Sequence, residues 1–253
     1  MAPYLPPQGL EPETRGVDVT CIAVASRKGG VGKTTTAIAL SFMFARKGYQ
    51  VGVLELDENA PIQDLVDIHR SRGRDEANLT LIDQPPRDEK LKQTIKRLKK
   101  EHEVVVIDLP GAATSEMLVA TAAAELVLIP MRTARWDGDQ ANRTYHEIVD
   151  MNDDVRNPPI VRLVLTQTPA GAVLPRAYHR NIKAIEREKL PRMRIELAQR
   201  KEWIDIQEGG AYPAEGSKAY QNAEALFEEV VDLLAEDDDA TAQDATNREE
   251  MAQ

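Results

Sequence analysis

The segment Val19–Ser26, VTCIAVAS, runs directly into Arg27-Lys28-Gly29-Gly30-Val31-Gly32-Lys33-Thr34-Thr35 and then into a helical pattern. No other feature of the 253-residue chain constrains its fold as strongly. An apolar run, a glycine-rich turn and a helix start, in that order, make a phosphate-binding loop. Glycines let consecutive backbone N–H groups turn inward with no Cβ in the way. The helix N-terminus adds partial positive charge at the same point. Lys33 supplies a point charge for the β- and γ-phosphates, and the Thr34 hydroxyl can ligate Mg2+. Gly29, Gly30, Val31, Gly32 and Thr35 complete the cradle.

Further apolar runs follow at Val51–Leu56, Val104–Leu109, Leu126–Pro130 and Ile160–Thr166, with a shorter one at Leu79–Ile82. They are rich in Val, Ile and Leu and nearly continuous, as strands buried on both faces are. Helical patterns separate them at Thr34–Lys47, Pro61–Arg72, Asp88–His102, Ser115–Ala124 and Asp137–Asn152, and a last one spans Gly216–Ala235. Such alternation predicts an α/β fold, a mostly parallel twisted sheet with helices on both faces. Residues 1–18 read as a Pro-rich flexible arm, 19–235 as the folded domain and 236–253 as an acidic disordered tail. The single cysteine, Cys21, rules out an internal disulfide and a cysteine-ligated metal site within one chain. Its apolar surroundings predict a buried small hydrophobe. The N-terminus, MAPYLPPQGLEPETRG, lacks a secretory pattern.

The ordinary pattern GxxxxGK[ST] needs glycine where this chain has Arg27, and a second lysine, Lys28, stands inside KGGVGKTT. That octet resembles the deviant Walker A motif of the ParA/MinD superfamily of P-loop ATPases. Two more segments support the resemblance. VGVLELDENAP places Asp57 at the second acid of the family's DxDPQ motif, although Glu55 replaces the first Asp and Glu58-Asn59 replace Pro-Gln. VVVIDLPG is similar to the family's hhhDxPG segment and contains Asp108. The resemblance implies ATP and Mg2+ as cofactors. It gives Asp108 a place in the Mg2+ shell through water, and Asp57 the orientation of the attacking water with possible metal contact. LVLIPMRTARWDGDQA aligns Pro130 and Asp137 with a looser family segment, and RLVLTQTPAG makes Gln167 a candidate adenine contact. Lys28 corresponds to the superfamily's signature lysine, which reaches the phosphates of the partner subunit's ATP. A cation supplied across an interface stabilises charge on the transferring phosphoryl group and ties dimerisation to nucleotide.

The net charge of -10 is uneven: Glu224–Gln253 holds eleven acids and one base, leaving the first 223 residues neutral. Within that neutral body Pro175–Lys201 carries nine Lys/Arg and three acids. Arg176, Arg180, Lys183, Arg187, Arg200 and Lys201 are the candidate DNA contacts, since phosphate binding by Lys and Arg is sequence-independent and salt-sensitive. The basic run Arg87–Lys100 reads as a solvated helix with i,i+4 charge spacing. An acidic C-terminus opposes docking on anionic lipid, so no membrane partner is expected. About eighteen residues precede the first strand, too few for a helix-turn-helix domain. The resemblance therefore implies a short ParA-type ATPase, cytoplasmic and nucleoid-associated, with weak hydrolysis stimulated by a partner. It would form an ATP-dependent homodimer, bind DNA non-specifically, respond to a small ParB-like adaptor and segregate plasmids, chromosomes or other cargo. Alternatives are an accessory ATPase in conjugative or T-DNA transfer, which the Asp57-Glu58-Asn59 variant resembles, a positioner of a protein assembly, a nucleotide-dependent ligase on the same fold, and a non-hydrolysing switch.

Overall fold

The computed structural model describes residues 20–57, 61–73, 78–82, 90–111, 114–134, 137–171, 174–207 and 210–251, with side chains to residue 237. Val19, the Pro-rich arm, Glu58, Asn59 and Arg87–Glu89 lie outside the described residues. Among the described residues seven strands form one sheet: β1 (Thr20–Val24), β2 (Val51–Glu55), β3 (Leu79–Ile82), β4 (Val104–Asp108), β5 (Leu126–Arg132), β6 (Ile160–Thr168) and β7 (Leu197–Ala198). Their spatial order is β3-β2-β4-β1-β5-β6-β7. Every pairing is parallel, as the alternation predicts. The chain leaves β1 for β2 on one side of it and later crosses from β4 to β5 on the other, so the carboxyl ends of β1 and β4 lie at a topological switch point, where α/β sheets bind ligands.

Among the described residues eight helices cover the sheet: α1 (Lys33–Arg46), α2 (Pro61–Ser71), α3 (Leu91–Glu101), α4 (Ser115–Thr121), α5 (Asp137–Met151), α6 (Arg176–Arg187), α7 (Lys201–Gln207) and α8 (Lys218–Met251). Strand side chains alternate between faces. Ile22 and Val24 of β1 join one core with α1, α2, α7 and α8, while Cys21 and Ala23 join the other with α3, α4, α5 and α6. Two separate cores are what helices on both faces require. α1 lies between the sheet and α8, and eleven of its residues are buried. It closes on Gly48 at φ 92°, a left-handed turn that glycine adopts without a Cβ clash.

Several expectations shift. β5 and β6 run two residues past the expected ends, to Arg132 and Thr168. α3 begins at Leu91 and α4 stops at Thr121. The basic segment, read for charge alone, contains α6 and β7 and leads into α7. The last helix passes the expected stop near Ala235 and continues to Met251, so helix stands where disorder was expected. No glycine or proline interrupts Lys218–Met251, and alanine, glutamate and glutamine favour helix there. Cys21 is fully buried, and burial pushes its thiol up to about 12. Among the described residues no helix is long and apolar enough to cross a membrane.

Candidate nucleotide site

β1 ends beneath the glycine-rich loop, and α1 begins at Lys33 immediately beyond it. Gly30 and Gly32 have φ 69° and 93°, the region that disfavours any Cβ. At Gly32 a Cβ would also lie 3.1 Å from the Thr166 side chain. Thr166 holds the loop by donating its hydroxyl to the Val31 carbonyl at 2.5 Å. Gly111, from the segment after β4, packs so closely that a Cβ there would sit 3.4 Å from both Gly29 and the Lys33 ammonium. Lys33 is buried and makes no ion pair among the described residues. A buried ammonium with no carboxylate in ion-pair contact is suited to receive an anion.

At the carboxyl end of β4, Asp108 is fully buried. The Thr34 hydroxyl donates to its Oδ2 at 2.7 Å, and its Oδ1 is buried with no hydrogen-bond partner among the described residues. Burial pushes the Asp108 carboxyl up to about 7; the Thr34 hydroxyl and the Lys33 ammonium pull it down, and Glu55 and Asp57 add to the rise. Two convergent oxygens, one of them an orphaned carboxylate oxygen, suit a hard divalent cation such as Mg2+. Asp57 therefore lies within electrostatic reach of Asp108, and the backbone fixes the approach: Leu56 N–H donates to the Asp108 carbonyl at 2.9 Å.

Glu55 has a different role. It is fully buried and accepts the backbone N–H groups of Ile62 at 2.8 Å and Gln63 at 3.1 Å. It thus caps the N-terminus of α2 from the end of β2, where helix amides lack partners. The longer Glu side chain at the family's first Asp position spans that gap.

Gln167 adopts φ 49° at the end of β6 and donates its amide to the Gly30 carbonyl at 3.2 Å. It lines a small cavity with Gly32, Thr35 and Ala198 beside the loop. Arg200 lines the same cavity, and its Nε is buried without a partner among the described residues. The structure therefore separates Arg200 from the other DNA-contact candidates, because the turn after β7 points it at the nucleotide side. Lys201 is 85% exposed and lies 3.7 Å from Asp205.

Arg176, Arg180, Lys183 and Arg187 form a continuous exposed stripe on α6 at i, i+4, i+7 and i+11. Asn181 and Ile185 occupy the buried face. Arg176, Arg180 and Lys183 have no ion-pair partner among the described residues; Arg187 pairs with Glu188 at 2.8 Å. In the other basic run, Arg97 pairs with Glu101 at 3.0 Å and Lys99 with Glu125, as expected of a solvated helix.

Lys28 is bonded within its own chain: its ammonium contacts Oδ1 of Asp137, which is buried at the start of α5. Arg132 donates Nε to Asp137 Oδ2 at 2.9 Å. Sequence reasoning missed Arg132, although a cation at a strand end near the switch point marked it. It also missed Trp203, which is buried between two cavities beside α1.

A parallel sheet with this loop after β1 and acids at the ends of β2 and β4 defines a P-loop ATPase of the ParA/MinD superfamily. Residues 19–227 match the model of the VirC1 protein family, and the chain belongs to that family. It is 37% identical over 116 residues to Protein ParA of Rhizobium radiobacter, covering 46% of this chain and 50% of that one. The chain spans about half the length of that relative. A Cyanothece McdA–ATP complex superposes with TM-score 0.66 at 18% identity, covering 85% of this chain and 97% of that one. MinD of Pyrococcus horikoshii OT3 complexed with Mg-ADP gives 0.64 at 18% identity, covering 83% and 95%. These two likenesses show the fold.

Proposed function

We propose that the chain is a Mg2+-dependent ATPase that dimerises on ATP, binds DNA without sequence preference as the dimer, and segregates or positions DNA or another cargo. The observation that supports the reading best is the Thr34–Asp108 pair, with its orphaned Asp108 Oδ1, beside the buried and unpaired Lys33. When bound, Mg2+ neutralises phosphate charge and orients the γ-phosphoryl group. Thr34 and Asp108 are the residues that would hold the ion, Asp108 through its water shell. Lys33 binds the β- and γ-phosphates, and the N–H groups of Gly29–Thr35 line the phosphate chain. Asp57 would orient the attacking water. Gln167 and Arg200 line the cavity that takes the base and ribose. Lys28 acts across the dimer on the partner's phosphates. McdA and MinD neighbours carrying ATP and Mg-ADP support the nucleotide and the metal.

The α6 stripe supports the DNA face, since four exposed cations on one helix side present a row of phosphate contacts. A small ParB-like adaptor that triggers hydrolysis and a cytoplasmic, nucleoid-associated location belong to the same proposal. A second reading keeps the ATPase and makes its cargo DNA in conjugative or T-DNA transfer. The Asp57-Glu58-Asn59 variant favours it, and the VirC1 family match spans those residues. The test is DNA binding against nucleotide state and salt. ATP-dependent binding of unrelated duplexes that weakens steeply with salt supports the proposal; sequence-specific binding without ATP sinks it.

A further inference from the structure

We propose that Arg132 is the positioning residue that lets Lys28 leave its own subunit. The inference rests on the reading of Lys28 as a cation that acts across the dimer. Two cations share one carboxylate here, from opposite oxygens: Lys28 on Oδ1 of Asp137 and Arg132 on Oδ2 at 2.9 Å. The Asp137 side chain is 1% exposed, whereas those of Lys28 and Arg132 are 33% and 35% exposed. The acid is thus fixed and desolvated, and both cations approach it from the solvent side. A buried carboxylate stripped of its sole cation is strongly penalised. With Lys28 as that sole cation, Asp137 would hold the lysine at home and oppose the dimer. Arg132 removes the obstacle by keeping the carboxylate neutralised after Lys28 departs. The start of α5 adds the helix N-terminus in the same sense. Arg132 suits this task because its guanidinium stays charged and holds a fixed planar geometry.

The backbone of Asp137 is tied to Ala134, and Ala134 in turn to α6. Asp137 N–H donates to the Ala134 carbonyl at 3.2 Å, and Asn181 of α6 donates to the same carbonyl at 3.0 Å.

The experiment measures dimerisation of the full chain by sedimentation velocity with Mg2+ and a non-hydrolysable ATP analogue, alongside fluorescent-ATP binding to the monomer. Arg132→Gln should weaken the dimer by about tenfold or more, as expected when a buried charge loses its remaining partner. Nucleotide binding by the monomer should be unchanged. Arg132→Lys should restore most of the loss. Arg132→Gln combined with Asp137→Asn should dimerise again, because no buried charge then retains Lys28. An unchanged dimer constant in Arg132→Gln overturns the proposal, as does a double variant that stays monomeric while still binding nucleotide. If Arg132→Gln does not fold, Arg132→Lys and Asp137→Asn alone decide: near-normal dimers from the first and equal or tighter dimers from the second are required. Lys28→Ala separates the two layers. If it dimerises normally, the role of Lys28 itself fails and takes this inference with it. If it stays monomeric while Arg132→Gln dimerises normally, only the role of Arg132 falls.

Discussion

Asp108 offers a thermodynamic test that needs no assay of turnover. Its carboxyl is fully buried and pushed from an ordinary 3.8 up to about 7, chiefly by desolvation. A raised carboxyl pKa means that the folded protein holds the proton more tightly than the unfolded chain does. Stability from this group therefore falls as pH rises from about 4 to about 7, and the full penalty remains above that. Roughly three pKa units at about 1.4 kcal/mol each give a penalty of about 4 kcal/mol at pH 8, and of about 2 kcal/mol at pH 5. Asp108→Asn keeps the shape and an acceptor for the Thr34 hydroxyl, and removes the charge. The nucleotide-free variant in EDTA should then be more stable than the wild type at pH 8, by up to about 4 kcal/mol. In a chain of this size that is a rise in Tm of about 8–16 °C at most. The gap should shrink by about half at pH 5. Thermal melts from pH 5 to pH 8 read it directly. Mg2+ should stabilise the wild type together with ATP and add little to the variant, because the carboxylate that attracts the cation's water shell is gone. A variant no more stable than the wild type at pH 8, or a gap that does not change with pH, would refute the assignment of Asp108 as a charge waiting for a cation.

Other perturbations probe separate parts of the molecule. Glu55→Ala removes the acceptor for two α2 amides and should lower stability by about 1–3 kcal/mol in urea unfolding; an unchanged midpoint would remove its capping role. Cys21, buried with its thiol pushed up to about 12, should resist a thiol reagent at pH 8 until the chain unfolds; labelling of the native protein within minutes contradicts that burial. Arg180→Ala with Lys183→Ala should weaken DNA binding for every duplex alike and lower the salt slope by nearly one per lost contact. A loss confined to one DNA sequence would contradict a phosphate-only role for α6.

Most of the sheet was legible because buried parallel strands are continuous apolar runs, and six of the seven announce themselves that way. β7 did not, since a two-residue strand has no period. α6 was hidden for a different reason. Its inward face carries Tyr178, Ile182 and Ile185 at helical spacing around the buried Asn181, but nine cations crowd the stretch Pro175–Lys201 and the charge pattern dominates the reading. The phosphate loop and Asp108 were readable because glycine and charge requirements are local. The Lys28–Asp137–Arg132 cluster was not: Lys28 and Asp137 are 109 residues apart, and only the sheet order that sets β5 beside β1 brings them together. Glu55 stands out in the sequence only as a replacement for the family's first Asp; its helix-capping role is invisible without the fold, because the α2 amides it satisfies are seven and eight residues away.

The net charge gains its meaning from placement. Two of the acids that make the C-terminal thirty residues negative are spent inside the fold. Glu224 pairs with Lys47 at 2.6 Å, and Glu229 accepts the backbone N–H groups of Arg194 and Ile195 at 2.7 and 2.8 Å while bonding the Arg194 side chain. The Glu229 contacts pin α8 to the segment that follows the basic helix, and the Glu224–Lys47 pair ties it to the end of α1. Arg176, Arg180 and Lys183 of α6 are exposed and make no ion pair among the described residues. An overall -10 is therefore compatible with a local phosphate-binding face, because screening at physiological salt limits each charge to roughly 8 Å. Which partner the protein attracts is decided by the charges within that distance of α6, and the acids that anchor α8 do not enter that sum unless their carboxylates lie so near.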